Sequence, residues 1–267
     1  MDIGTAKPGK DVLDSIKHHL IDIINPDEQF NAGLFVEKAD ELCMQIYAKN
    51  KIPFIAGGTG FYFVNFINGL PQTPKSVPEI KKQLTDQYEK EGPEKMWRIL
   101  LKSDPVTAAR LPANDRQRVI RALEVYRISG RPLSSFKPGS GRQEMYEFLI
   151  IGLKQNREKL YDSINRRVDA MFAAGLTDEI RKLMKMGYTF SDPGMKGIGY
   201  SEFAEYADNP EKADLTLLKE EIAKNTRRYA KRQITFFSKI NDTIWIDAEN
   251  IEQLTAEVTR FISDFSV

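Results

Sequence analysis

A glycine-rich turn with one hydroxyl group is the first place in the sequence where residue types suggest chemistry. Gly57-Gly58-Thr59-Gly60 follows the apolar run Ile52–Ala56, which has the pattern of a buried strand. Ligands of open α/β sheets collect at the carboxyl ends of strands, and glycines let backbone N–H groups approach a phosphate closely. A tight strand-to-helix turn gives the same pattern. These residues alone therefore leave a phosphate site and a simple turn equally open.

Arginines on one predicted helix form a second candidate. Residues 114–126 read as a helix with a capping residue at its start, and Gln117, Arg118 and Arg121 share one face at 100° per residue. Apolar side chains lie on roughly the opposite face and predict packing there. Six arginines between residues 110 and 131 suit contacts with phosphates. The spacing alone is also that of an ordinary solvated face, and by itself favours it.

A longer basic segment and a single arginine complete the set. Residues 224–239 contain six basic residues and no acid, interleaved with aromatic residues, a pattern typical of a helix that faces RNA. Arg167 lies about 100° from Val168 at the border of an apolar helical stripe, where we expect its guanidinium to be partly desolvated. An arginine at such a border is usually a structural ion-pair partner. Between them, Gly194–Tyr200 offers glycines and an aromatic ring, or else a turn between helices.

Strands that alternate with helices must position these residues. Four apolar runs predict buried strands, and helical patterns of more than ten residues lie between them. The runs are Leu20–Ile24, Ile52–Ala56, Phe148–Leu153 and Thr243–Ile246. This alternation predicts a parallel α/β sheet. Residues 71–138 contain no strand-like run, and their prolines mark helix starts at Pro78 and Pro105, which predicts a helical lobe inserted into the core.

Composition narrows the class of protein. The 267 residues, 41% of them hydrophobic, are enough for a sizeable core, and a net charge of +1 provides no global field that would attract a polyanion. The single cysteine, Cys43, excludes an internal disulfide and lies in a helical pattern that predicts a core thiol. The adjacent His18 and His19 lack further histidines, so we expect no metal site there. Without an apolar stretch of about 18 residues, we expect a soluble, cytoplasmic protein.

The opening residues Met1-Asp2-Ile3-Gly4-Thr5-Ala6-Lys7-Pro8 resemble an internal motif of the tRNA dimethylallyltransferase (isopentenyl-tRNA transferase) family. Five motifs follow that family's order along nearly the whole chain. The resemblance implies a P-loop-NTPase-like parallel sheet core with an inserted helical lobe that binds tRNA. We expect the core to comprise residues 1–70 and 139–267 and the lobe residues 71–138. The family's Gly-rich phosphate loop and catalytic Asp-Ser segment precede this motif, so we expect the sequence to be N-terminally incomplete.

The same resemblance implies roles for individual residues. Thr59 would bind the pyrophosphate leaving group or the reacting end of the substrates, and Arg167 would be the pyrophosphate-binding arginine. The implied contacts to tRNA are Lys81, Gln117, Arg118, Arg121, Lys196, Gly199 and Tyr200. Lys81 replaces the arginine of the family, which retains the charge but loses the bidentate geometry. Ser163 and the pair Phe237-Ser238 also depart from the family pattern.

The implied reaction transfers a dimethylallyl group from dimethylallyl diphosphate to the N6 amine of the adenosine 3′-adjacent to the anticodon. The partners are a tRNA anticodon stem-loop and Mg²⁺, whose ligand-bearing loop is absent from this sequence, and we expect a monomer that does not bind membranes. We expect the chain as printed to be inactive and a version extended upstream to be active. The alternatives are a non-catalytic tRNA-binding remnant and an enzyme that prenylates a free adenine nucleotide.

Overall fold

The computed structural model describes residues 1–137, 142, 145–207 and 214–264. The chain divides into two compact units, each described separately below. The first unit comprises Met1–Val64 and Glu147–Val267, and the second unit is Asn65–Tyr146. The second unit begins six residues before, and ends eight residues after, the inserted lobe expected at 71–138. Residues 136–142, where the expected lobe ends and the chain is expected to return to the core, lie partly outside the described residues.

Helices dominate both units. The first unit contains α1 (Lys10–Ser15), α2 (Ala32–Tyr47), α8 (Arg157–Ala173), α9 (Leu176–Lys185), α10 (Leu215–Phe237) and α11 (Ile251–Ser263). The second unit contains α4 (Pro78–Glu91), α5 (Pro93–Ser103), α6 (Pro105–Ala108) and α7 (Arg116–Ser129). Helix α3 (Gly60–Asn68) contains the boundary between Val64 and Asn65. From residue 71 to residue 137 the structure contains these helices and a short 3₁₀ turn, and no strand.

Capping residues explain where several helices begin. Pro78 and Pro105 are the first residues of α4 and α6, as the sequence predicts. Proline is suited to this position because the first turn of a helix leaves its backbone N–H groups unpaired. Asp115 caps α7 by accepting a hydrogen bond from the backbone N–H of Arg118, and Gly130 ends the helix at φ 69°. Asn156 caps α8 in the same way.

The described residues contain a two-stranded parallel sheet. β1 (Ile151–Lys154) pairs with β2 (Ile244–Asp247), and Ile151 lies opposite Ile244. These strands confirm the third and fourth predicted runs with small shifts in their ends. Helices α8, α9 and α10 lie between the two strands in the sequence, as expected for a parallel connection.

The other two predicted strands are wrong for the described structure. Leu20 and Asp22 have φ values of 61° and 54°, a left-handed conformation that breaks an extended strand. The run Ile52–Ala56 pairs with no described strand, and Phe54 is 85% exposed. An apolar run becomes a strand only when a neighbouring chain satisfies its backbone N–H and C=O groups, which periodicity alone does not reveal.

Each unit has its own hydrophobic core. In the first unit, the α8 stripe predicted from the sequence packs through Ile164, Val168 and Met171 against residues of α9 and α10. In the second unit, the fully buried Met96 and Leu100 of α5 pack in one core with residues of α4 and α7. Cys43 is buried on α2, which confirms its assignment as a core thiol.

Candidate functional site

The Gly57–Gly60 turn ends at the first residue of α3. Thr59 immediately precedes the helix, and its carbonyl accepts a hydrogen bond of 2.9 Å from the N–H of Tyr62. Thr59 is exposed, whereas Gly60 is buried. The hydroxyl and backbone N–H of Thr59 therefore lie beside the positive end of a helix dipole, a position that favours an anion.

Helix α10 holds this turn from one side. The Nε2 of Gln233 donates a hydrogen bond of 2.8 Å to the carbonyl oxygen of Gly58, and the hydroxyl of Tyr229 donates a longer one of 3.4 Å. A Cβ on Gly58 would lie 2.0 Å from Gln233 Nε2, and a Cβ on Gly60 would lie 2.3 Å from the Phe236 ring. A Cβ at position 60 would therefore overlap the Phe236 ring, whereas a Cβ at position 58 would displace the Gln233 amide from its hydrogen bond. Gln233 is not identifiable from the sequence, because its residue type carries no signal of this contact.

The same helix also contacts α8, which carries Arg167. Arg227 donates to Asn165 at 2.8 Å, and Lys219 pairs with Asp169 at 2.9 Å. Arg167 is exposed and makes no ion pair with any residue that the structure describes. The partial desolvation expected for it does not occur, since α8 packs through its apolar stripe and leaves position 167 outside the contact. Its guanidinium is therefore available to an anion.

Tyr200 lies in the core, although the sequence suggested a ring open to a ligand. It is 1% exposed, and its hydroxyl donates a 2.5 Å hydrogen bond to Glu179. Gly199, at φ 95°, donates its N–H to Glu202 at 2.8 Å, while Lys196 is exposed on a short 3₁₀ turn. Of these three expected tRNA contacts, Lys196 presents its side chain to solvent and Tyr200 does not.

The Glu179 carboxylate binds the opening motif of the chain. It accepts backbone hydrogen bonds from Asp2 at 2.6 Å, Ile3 at 3.0 Å and Gly4 at 3.3 Å. Burial opposes its ionisation, but the hydrogen bonds from Tyr200 and these amides outweigh that effect and lower the pKa of Glu179. Burial together with the Glu179 contact raises the pKa of the Tyr200 hydroxyl. The carboxylate is therefore ionised at neutral pH and fixes this loop.

Exposed polar residues of α7 and α4 lie in the second unit. Gln117 and Arg118 are exposed, and the Arg118 side chain is 71% accessible although its Nε lies 3.0 Å from Asp115. Lys81 is exposed on α4, which packs against α7. These three side chains present polar and positively charged groups to solvent.

Arg121 has a different environment from its neighbours on α7. Its Nη1 donates to Glu124 at 2.6 Å, and its Nη2 donates to the carbonyl of Pro74 at 2.6 Å. Glu124 is 1% exposed and also accepts from the Ser76 hydroxyl at 2.5 Å and the Val77 N–H at 3.0 Å. Burial opposes ionisation, yet these donors together hold the pKa of Glu124 below its usual value. Arg121 thus ties α7 to the segment before α4.

The basic segment of α10 remains on the surface. Arg228, Lys231 and Arg232 are exposed, and the Arg232 guanidinium lies 5.7 Å from the centre of the Tyr229 ring. Lys224 pairs with Glu221 at 2.8 Å. The exposed cations and the aromatic ring are groups that bind a nucleic acid backbone and its bases.

Comparison with known proteins identifies the family. The family model described as "IPP transferase" matches residues 1–240. The chain belongs to the IPP transferase family. A curated relative from Geotalea daltonii, tRNA dimethylallyltransferase 2, is 40% identical over 92% of this chain and 76% of its own length. The tRNA dimethylallyltransferase of Acetivibrio thermocellus is 38% identical over 100% of this chain and 86% of its own length.

Solved structures have the fold of this IPP transferase family member. The full-length tRNA isopentenylpyrophosphate transferase from Bacillus halodurans matches with a TM-score of 0.67 and 34% identity, over 99% of this chain and 83% of that one. A eukaryotic dimethylallyltransferase acting on tRNA matches with a TM-score of 0.80 and 23% identity, over 98% of this chain and 69% of that one. The second comparison supports the fold alone. Together they confirm the expected α/β class.

The structure brings the expected residues of this IPP transferase family member into two groups. In the first unit, α10 contacts both the turn that carries Thr59 and the helix that carries Arg167. In the second unit, α7 carries Gln117, Arg118 and Arg121, and the adjacent α4 carries Lys81. The assigned roles of all these residues stay predictions.

Two further observations concern ligands and membranes. Among the described residues, no group of three or more His, Cys, Asp or Glu side chains could hold a metal ion. The Mg²⁺ that the resemblance implies stays a prediction, because such an ion is commonly held by one or two protein oxygens together with substrate phosphates. None of the described helices combines the length and apolar character that crossing a membrane requires.

Proposed function

We propose that this chain serves in the transfer of a dimethylallyl group from dimethylallyl diphosphate to the N6 amine of the adenosine 3′-adjacent to the anticodon in tRNA. The observation that carries the proposal is the turn at Thr59. In a member of the IPP transferase family, an exposed threonine precedes a helix and is held between two glycines that contact α10. This arrangement supports the binding of a diphosphate.

The reaction places definite demands on the site. A bond forms between N6 and the allylic carbon, the bond from that carbon to the diphosphate oxygen breaks, pyrophosphate leaves, and the amine gives up a proton to a base. Thr59 can donate its hydroxyl and backbone N–H to the leaving group, and Arg167 can neutralise the charge that develops on it. Both groups are exposed and have no competing ion pair among the described residues.

Recognition of the RNA requires cations and a way to bind an unstacked base. Arg118 and Lys81 provide positive charge in the second unit, and Lys196, Arg228 and Lys231 provide it in the first. Lysines and arginines of this kind bind phosphates and make the affinity depend on salt.

The binding half of the proposal is tested with Arg118→Glu. An anticodon stem-loop with a fluorescent label should bind the native chain, and the substitution should weaken binding about tenfold at low salt and lower the slope of log affinity against log salt. Fluorescence anisotropy measures both. Arg98→Glu, which reverses an exposed charge on α5, is the matched control and should change the affinity less.

The catalytic half is tested by transfer of radiolabel from dimethylallyl diphosphate to the same stem-loop. The 267-residue chain and a version extended upstream are assayed side by side, with AMP as the competing acceptor. Label in the stem-loop supports the proposal. Label in AMP alone would indicate prenylation of a free nucleotide, and tight RNA binding without transfer by either protein would indicate a binding module. Either result would overturn the proposed function.

A further inference from the structure

The carbonyl group of Gly58 determines which way the next backbone N–H points. Gln233 and Tyr229 of α10 both donate hydrogen bonds to this carbonyl, so it points toward α10. The peptide bonds of the described residues are all trans, and in a trans peptide the C=O and the following N–H point in opposite directions. The N–H of Thr59 therefore points away from α10.

The Thr59 N–H donates to no other described group. Thr59 is an exposed residue, and its carbonyl already accepts a hydrogen bond from the N–H of Tyr62. One end of the Gly58–Thr59 peptide is thus fixed by α10, while the other end is free to donate. Such a fixed donor can act on a developing negative charge without first reorganising.

Close packing makes this orientation specific. Gln233 lies where a Cβ of residue 58 would be, and one turn further along α10 the Phe236 ring lies where a Cβ of residue 60 would be. Both neighbours of Thr59 are therefore pressed against α10, and Thr59 itself is the exposed residue between them. Among these contacts, the 2.8 Å hydrogen bond from Gln233 is the one that sets the peptide plane.

We propose that Gln233 is a positioning residue that orients the Thr59 N–H toward the pyrophosphate group, an inference that rests on the role proposed for Thr59 above. Gln233 itself does not contact the reacting atoms. It acts by holding the Gly58 carbonyl, and Tyr229 assists through its longer bond. Loss of the amide donor frees the peptide to rotate and misaligns both the N–H and the hydroxyl of Thr59.

The test uses inorganic pyrophosphate as the probe and the variant Gln233→Met, which keeps the length of the side chain and removes the donor. In amide NMR spectra of the full chain, pyrophosphate should shift the Thr59 signal, and the substitution should weaken its affinity about tenfold. Gln45→Met, an exposed glutamine on α2, is the matched control and should match the native chain. Unchanged affinity in Gln233→Met, or no Thr59 response in the native chain, would overturn the inference.

A second variant separates positioning from packing. Gln233→Glu is nearly isosteric with the native residue but places a carboxylate against the Gly58 carbonyl, so it should bind pyrophosphate more weakly than Gln233→Met. Gln233→Glu that bound pyrophosphate as tightly as the native chain would contradict the positioning role. The melting temperatures of both variants should lie close to that of the native chain. A fall in melting temperature large enough to account for the loss of pyrophosphate binding would contradict the proposal.

Transfer kinetics distinguish this inference from the proposed function. In the protein that transfers label, Gln233→Met should lower kcat and leave the affinity for the stem-loop within about twofold of native. If native protein transfers nothing but the pyrophosphate result holds, the proposed function fails and the positioning role stands. If transfer occurs and Gln233→Met does not slow it, the positioning role fails and the function stands.

Discussion

Each unit of the molecule contains a glutamate that fixes a separate chain segment. The two carboxylates accept hydrogen bonds from different kinds of donor. In the second unit, Glu124 is fully buried and is paired with the cation of Arg121 as well as with neutral donors. In the first unit, Glu179 is half-buried and accepts its hydrogen bonds from neutral donors, the Tyr200 hydroxyl and three backbone amides. Both pKa values are lowered, so both groups are charged at neutral pH.

The difference shows what a family motif does and does not imply. Arg121 and Tyr200 were both expected to contact tRNA, yet each holds a carboxylate within its own unit. Their neighbours Arg118 and Lys196 are exposed, and the contact of these side chains with RNA stays a prediction. A residue of a family motif can therefore make a structural contact within its own unit, which the motif alone does not reveal.

The largest effect should follow the loss of the cation beside Glu124. Arg121→Met leaves a buried carboxylate without its charge partner and should lower the unfolding free energy of the second unit by about 2–3 kcal/mol, less than for a fully buried pair because Arg121 is partly exposed. The measurement is urea unfolding in a Trp245→Phe background. The remaining Trp97, which donates to the Leu111 carbonyl at 2.8 Å, then reports on the second unit.

Two companion variants sharpen this result. Arg121→Lys retains the positive charge but cannot reach Glu124 and Pro74 together, so it should recover only part of the stability lost in Arg121→Met. The double variant Arg121→Met/Glu124→Met should recover part of the lost stability, because no uncompensated charge remains. Native stability in Arg121→Met with greatly weakened RNA binding would show that Arg121 is an RNA contact and not a structural partner.

Sequence alone predicts the structure where a local pattern decides it. The α8 stripe, the proline-led helices and the Asp115 cap all depend on residues within one or two turns of each other. Glu124 also carried a signal, because it is a charged residue among the apolar positions of α7, three residues from an arginine. A carboxylate in such a position must find a partner when the helix packs, so the pattern by itself indicates a buried pair.

The remainder depends on contacts between distant residues. Gln233 reaches Gly58 across 175 positions, and Glu179 reaches Ile3 across 176. Nothing in the type or spacing of these residues predicts such contacts. The run Ile52–Ala56 fails for the same reason, since a strand depends on its neighbour as much as on its own residues.

The second largest effect on stability should follow the loss of the Glu179 carboxylate. Glu179→Gln turns an acceptor into a group with two donors facing N–H groups, and should cost the first unit about 2 kcal/mol at neutral pH. The folded pKa of Glu179 lies below the ordinary value of 4.5, so its contribution is complete above that pH and is lost as pH falls through the folded pKa. Native and variant stabilities should therefore converge in acid. Unfolding followed by Trp245 in a Trp97→Phe background measures this.

The matched control for that experiment is Glu205→Gln, which changes an exposed glutamate close to Tyr200 in sequence. It should leave both the stability at pH 7 and its pH dependence near native. A gap between the native chain and Glu179→Gln that widened on acidification would contradict the assignment of Glu179 as an ionised acceptor in the folded state.

The smallest effect on stability should follow the loss of the Tyr200 hydroxyl, which donates one of the hydrogen bonds to Glu179. Tyr200→Phe removes the hydroxyl that donates to Glu179 and should lower the stability of the first unit by about 1 kcal/mol. Because the ring is 1% exposed, affinity for the stem-loop should not change, whereas Lys196→Ala should weaken it. If Tyr200→Phe instead weakened RNA binding at native stability, the hydroxyl would have to leave Glu179 on binding, and the expected contrast between the buried Tyr200 and the exposed Lys196 would fail.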